Sequence, residues 1–163
     1  MSLEHGELLR LLHYDPETGF WSRRIQVHGG KPPGEVFQPV HNAGYVHICI
    51  GQKKYLGHRL AVFYMTGEWP KDKVDHEDTN RANNKWTNIR PCSQRQNRRN
   101  SRISKANKTG LKGVYFNKKE RKFEAQIKLQ KSTYLGRFDC PAAAHFAYLI
   151  AADLHFGVFA RAR

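Results

Sequence analysis

From Arg90 to Lys108 the chain carries seven basic residues (Arg90, Arg95, Arg98, Arg99, Arg102, Lys105 and Lys108) and no acidic one. Within this run, residues 101–107 are Ser, Asn and basic positions with little to bury, which reads as a linker. The 163 residues are therefore expected to fold as two small units, each with its own modest core. The predicted fold class is α+β. A β-rich N-terminal unit, residues 1–100, precedes the linker at 101–107. A three-stranded antiparallel sheet with one helix follows over 108–163.

The patterning on either side supports that division. Leu8, Leu9, Leu11 and Leu12 form an apolar helical stripe. Asp15 to Gly19 is a turn, and Phe20-Trp21 opens a strand. Gly44 to Ile50 alternates as a half-buried strand, with Lys53 to Leu56 returning after Gly51-Gln52. A helix spans His58 to Thr66, closed by Gly67 and Pro70, and a basic helix starts near Ser93. Beyond the linker, strands are expected at Lys112 to Phe116, Lys122 to Leu129 and Thr133 to Phe138. Pro141 starts a helix that runs to about Phe156 and ends at Gly157. Its apolar face is expected to be Phe146, Leu149, Ile150 and Leu154.

Charge narrows the partners. With 28 Lys+Arg against 14 Asp+Glu, the formal net charge is +14. That excess favours a polyanion, nucleic acid first, held by phosphate contacts that weaken with salt. No apolar run approaches the length of a membrane span, so no membrane partner is expected. The start, with its acidic residues, is not a signal peptide. Cys49, Cys92 and Cys140 are odd in number and far apart. A disulfide framework and a thiolate zinc site are therefore not expected, and a reducing cytoplasm is.

One segment supplies chemistry. Val74-Asp75-His76-Glu77-Asp78-Thr79-Asn80-Arg81-Ala82-Asn83-Asn84 is followed by Asn88-Ile89-Arg90 and by Gln96-Asn97. Asp75 and the Asn97 carboxamide are hard oxygen donors suited to Mg²⁺ or Mn²⁺. His76 can take a proton from water near neutral pH. Arg90 can hold phosphate, and Arg95, Arg98, Arg99 and Arg102 can follow a phosphate backbone. With one carboxylate and one amide, phosphate and waters must complete the metal shell. Asp75 and His76 are adjacent, so a regular strand would point them to opposite faces. A shared site needs the strand to end or twist there. The Asn-rich stretch also reads as loop, with side chains turned to their own backbone.

The stretch GHRLAVFYMTGEWP…VDHEDTNRANNKWTNIRPCSQRQN resembles the HNH endonucleases of phage and intron homing type. These carry an aHRLa helix, then DHxDGNxxNNxxxNLR, then a helix bearing Asn. The resemblance spans about residues 8–100, with a ββα-metal core at about 72–100. It implies a DNA endonuclease in which His76 is the general base and Asp75 a metal ligand. Asn88 braces the loop between two strands, and Asn97 is the second metal ligand, where other members have His. His58 opens the preceding helix in a family-typical place, as an accessory to phosphate or simply a packed ring. The departures are Thr79 where Gly is usual and Ile89 where Leu is usual. The resemblance implies products with 5′-phosphate and 3′-hydroxyl ends, and a phage-encoded or bacterial setting. The alternative is a DNA-binding protein whose nuclease module is inert.

The C-terminal stretch TGLKGVYFNKKERKFEAQIKLQKSTYLGRFDCPAAAHFAYLIAADLHFG resembles the Apetala/ethylene-response-factor DNA-binding domain over about residues 108–160. That resemblance implies a sheet laid in the major groove of double-stranded DNA. Phe123, Ala125 and Ile127 alternate with Lys122, Glu124, Gln126 and Lys128, so the first set should face the helix. Candidate DNA contacts are Tyr115, Asn117, Lys119, Gln126, Lys128, Tyr134 and Arg137. No small-molecule substrate is expected. Target sequence, single- or double-strand cutting and oligomeric state (monomer or dimer) stay open.

Overall fold

The computed structural model describes residues 3–101, 103–104 and 106–160. Arg102 and Lys105, both in the basic run, lie outside the described residues. The chain is a mixture of helices and small antiparallel sheets. It divides into two compact units, Met1–Gln94 and Arg95–Arg163. The division falls six residues before the expected start of the linker.

In the first unit, α1 (His5–Leu11) leads into β1 (Leu12–Tyr14), which pairs with β2 (Trp21–Arg23), and β2 with β3 (Val36–Phe37). A hairpin of β4 (His47–Ile50) and β5 (Lys53–Leu56) runs directly into α2 (Gly57–Thr66). The second hairpin joins β6 (Lys73–His76) to β7 (Ile89–Cys92). Leu8, Leu12, Tyr14, Trp21, Val46, Ile48 and Leu60 form the fully enclosed centre of the core. The leucine stripe is only partly realised: Leu9 is 36% exposed, and Leu12 is buried from β1 because the helix ends at Leu11. Gly67, at φ 75°, ends α2 in the left-handed conformation and donates its N–H to the Phe63 carbonyl.

The second unit begins inside α3 (Gln94–Arg99). It continues through β8 (Val114–Asn117), β9 (Lys122–Lys128) and β10 (Ser132–Phe138) to α4 (Pro141–Phe156) and a 3-10 turn, Gly157–Phe159. The sheet order is β10-β9-β8, antiparallel throughout. The two end residues of the expected linker, Ser101 and Asn107, are tied into this unit. Lys112 Nζ donates to the carbonyls of Arg99 (2.6 Å) and Ser101 (2.9 Å), and Asn107 Nδ2 donates to the Leu111 carbonyl at 2.9 Å. Along β9 the inward set, with Ala125 and Ile127 buried, packs on the helix as alternation requires.

The helix face needs correcting. α4 buries Ala144, Tyr148, Ala151, Ala152 and Phe156. Phe146, Ile150 and Leu154, expected inside, are 65%, 56% and 77% exposed. Alanines bring the helix axis close to the sheet, where large side chains would not fit, and Tyr148 lies against Gly113 so closely that a Cβ there would meet its ring at 2.1 Å. A helix apolar all round carries no periodic signal to say which side is inward.

Candidate active site

The β6–β7 register places Asp75 opposite Arg90 and His76 opposite Ile89. All three of Val74, Asp75 and His76 are buried, so the usual in–out alternation of a strand does not hold here. Arg90 donates from Nε (3.3 Å) and Nη2 (3.1 Å) to Asp75 Oδ2, and its Nη1 lies 3.8 Å from Glu77. The guanidinium expected to face phosphate is thus engaged with carboxylates of its own hairpin.

The His76 ring faces a different set of groups. Its Nε2 lies 3.0 Å from Asn84 Oδ1. A carboxamide oxygen only accepts, so Nε2 carries the proton and Nδ1 is the basic nitrogen. The ring meets His58 edge-on at 4.9 Å and Tyr45 at 6.2 Å between centroids. Burial lowers the His76 pKa, outweighing the Asn84 bond and the charges of Asp78 and Asp75, which raise it. The Asp75 carboxylate therefore acts on the ring electrostatically although the two residues take different partners. His58, almost wholly enclosed, is pushed down to about 3, chiefly by burial and then by His76. Both rings are neutral at pH 7. The unfolded chain binds protons that the folded one refuses, so stability falls as pH drops below the ordinary histidine value of 6.5 toward about 3.

The loop between β6 and β7 is built from carboxamides. Asn88 Oδ1 accepts the Asp78 backbone N–H at 3.0 Å, while its Nδ2 donates to Asp78 Oδ1 (3.0 Å) and the Asn83 carbonyl (2.7 Å). Burial alone would raise the Asp78 pKa. Bonds from Asn83, the Asn80 backbone and Asn88 hold its carboxyl below the usual range. Thr79 turns the chain with φ 63°, its N–H donating to the His76 carbonyl at 2.9 Å. A β-branched residue in this left-handed region costs about 1–2 kcal/mol.

Sequence reasoning treated Asn84 as one more loop residue, but it is 0% exposed. Tyr14 Oη donates to its carbonyl at 2.6 Å. A Cβ on Gly19 would come within 2.5 Å of the Asn84 carbonyl carbon, and one on Gly57 within 2.9 Å of its Nδ2. The N-terminal hairpin and the start of α2 thus clamp the residue that holds His76. The DHxD…NN spacing placed Asn84 near the motif, but nothing local pointed to Tyr14, seventy positions earlier. Tyr14→Phe leaves a buried carbonyl without its donor, and we expect a loss of about 1–3 kcal/mol in urea unfolding followed by tryptophan fluorescence. An unchanged midpoint would show that the hydroxyl does not brace the loop.

Two buried polar atoms beside the ring, His58 Nδ1 and Asn84 Nδ2, have no hydrogen-bond partner among the described residues. A third such atom, Trp21 Nε1, lies in the core of the same unit; unsatisfied buried groups are rare, and each one calls for an explanation.

Residues 55–99 match the HNH endonuclease family model. The matched segment takes in α2, both strands of the β6–β7 hairpin and α3. The chain is also similar to a solved structure described as DNA binding and cleavage by the HNH homing endonuclease I-HmuI. Identity is 26% and the TM-score 0.42, over 59% of this chain and 57% of that one. No curated protein matches.

Asn97 lies on α3, in the second unit and inside the HNH match. Arg95 and Arg98 are exposed on that helix, while the Arg99 guanidinium stacks over Phe156 at 4.4 Å. Arg102 is outside the described residues. In the second unit, register sets Tyr115 and Arg137 on either side of Glu124, and Tyr134 beside Gln126, all on the sheet face away from α4. Lys128 is exposed at the end of β9, and Lys119 is exposed in the turn before it. Asn117 Nδ2 donates to Glu124 Oε1 at 2.9 Å, and Arg137 Nη2 donates to the same oxygen at 3.2 Å.

Among the described residues no group of three His, Cys, Asp or Glu is arranged to hold an ion. The Asp75 carboxylate is a hard oxygen donor of the kind that suits Mg²⁺ or Mn²⁺, and a single carboxylate leaves most of the shell to phosphate and water.

Proposed function

We propose that this chain is a metal-dependent endonuclease that hydrolyses phosphodiester bonds in duplex DNA. The observation that carries this reading is the buried neutral His76 ring, anchored through Nε2 to Asn84 beside the Asp75 carboxylate, within the segment that matches the HNH family.

In this reading His76 Nδ1 accepts the proton of a water that attacks phosphorus in line. Asn84 keeps the ring in the tautomer that makes Nδ1 the base. Arg90 orients the Asp75 carboxylate through Nε and Nη2. A divalent cation, with Asp75 as ligand and Asn97 as the second oxygen donor that the resemblance implies, would stabilise charge growing on the phosphate. Asn88 and Asp78 keep the connecting loop rigid. The sheet face bearing Tyr115, Asn117, Gln126, Lys128, Tyr134 and Arg137, with Lys119 at its edge, is the proposed duplex contact, supported by the resemblance to the Apetala/ethylene-response-factor domain. The basic residues Arg95, Arg98 and Arg102 add phosphate contacts.

Supercoiled plasmid incubated with Mg²⁺ or Mn²⁺ should be converted to nicked or linear forms, read on agarose. An excess of EDTA should abolish cleavage while gel-shift binding persists. Cleavage that survives full chelation would remove the cation from the mechanism. Binding without cleavage on any substrate would leave a DNA-binding protein with an inert module.

A further inference from the structure

Phe146, Ile150 and Leu154 are exposed on α4 at four-residue spacing. Residues four apart on a helix stack on one side, so these form a continuous apolar ridge. The opposite side of α4 is already filled by its own sheet through Tyr148, Ala151, Ala152 and Phe156. A helix with a single apolar neighbour ordinarily shows a polar outer face, and a ridge of this kind marks a contact surface.

We propose that this outer face of α4 is where a second copy of the chain packs, helix against helix, to form a homodimer. Charge selects the partner. All 28 Lys and Arg lie outside residues 138–160, a segment whose ionisable side chains are Asp139, Cys140, His145, Tyr148, Asp153 and His155. Two copies of a chain at +14 repel across cationic surfaces, and the outer side of α4, which has no Lys or Arg of its own, lets them meet without that repulsion. The same lack of cations makes it a poor surface for DNA. A bilayer is the competing occupant, since Pro141–Phe159 has the length and mean hydropathy (1.3) of a membrane span, contrary to the expectation from sequence. But α4 has one side built into a sheet, and Asp153 and His155 are exposed on it.

An antiparallel pairing about a two-fold axis at Ile150 sets Phe146 of each copy against Leu154 of the other, so the ridge is self-complementary. One helix pair buries less than the roughly 800 Å² per partner of a standard interface, so the test spans a wide range of concentration. The pairing does not depend on the nuclease reading. If both hold, each dimer carries two hydrolytic sites.

Sedimentation equilibrium of the full chain, at about 1–100 µM and in about 0.5 M NaCl to screen its charge, tests the proposal. The wild-type mass should rise from 18.9 kDa toward twice that value. Phe146→Lys and Leu154→Glu should each stay at 18.9 kDa with unchanged far-ultraviolet circular dichroism, since both side chains are exposed. An equimolar mixture of the two variants should recover the doubled mass, because the register sets the new lysine against the new glutamate. A wild type that stays at 18.9 kDa at the highest concentration overturns the proposal, as do variants that pair as well as the wild type. Failure of the mixture to recover overturns the antiparallel register. Co-sedimentation of a monomeric wild type with neutral phosphatidylcholine vesicles would assign the face to a bilayer instead.

Discussion

Replacing His76 with alanine is expected to lower the rate of plasmid cleavage by about 10²–10⁴-fold, the usual contribution of a positioned general base. DNA affinity should change little, because the ring is buried (4% exposed) and carries no charge at neutral pH. The substitution also opens a cavity beside Asn84 and strips Asn84 Oδ1 of its donor, so part of any loss could come from the fold. His76→Gln separates the two. It fills most of the volume and offers Asn84 an N–H, yet has no nitrogen that accepts a proton near neutral pH. Both variants should be equally inactive in single-turnover cleavage, with the glutamine form melting closer to the wild type. A glutamine variant that cleaves at the wild-type rate would take His76 out of the chemistry.

Gly19→Ala should produce the largest loss of stability of any single methyl addition in the first unit. Gly19 has φ 77°, and its Cβ would meet the Asn84 carbonyl carbon and the Lys85 nitrogen at 2.5 Å each. Those are backbone atoms and cannot swing aside like the end of a side chain. The left-handed conformation costs an alanine about 1–2 kcal/mol, and forcing the chain apart adds about 1–3 kcal/mol. Together these lower the melting temperature of a domain this size by roughly 10 °C or more. Gly34→Ala is the control, since its φ of 83° is similar and nothing lies within 4 Å of its Cβ. It should show the conformational cost alone, about 1–2 kcal/mol. Equal melting temperatures for the two variants in scanning calorimetry would mean that the β1–β2 turn does not press on Asn84. If it does press, Gly19→Ala should slow cleavage even well below its melting temperature, because the clash displaces the residue that holds His76.

The second unit was the more legible in strand order and the less legible in packing. Alternation along Lys122 to Lys128 and the Pro141–Gly157 bracket located β9 and α4 because both signals are local: side-chain period, and the fixed φ of proline at a helix start. The inward face of α4 could not be read that way. Its large apolar side chains were expected inside, but close approach to the sheet favoured the alanines. Thr79 shows the same limit in the first unit. Threonine itself gave no sign that the chain would hold it at φ 63°; the one hint was that Gly is usual at that position in the family it resembles.

The amino-acid sequence alone determined the order of elements, the strongly basic character and the motif that brings Asp75, His76 and Asn88 to one hairpin, since each depends on residues near one another in the chain. Only the tertiary structure decided what surrounds that motif. The Arg90–Asp75 pair, the burial that keeps His76 and His58 neutral, and the Tyr14–Asn84 bond follow from a core that closes over positions up to seventy residues apart. Charge state and hydrogen-bond partner are properties of an enclosure, and no local pattern encodes which distant residue will form its wall.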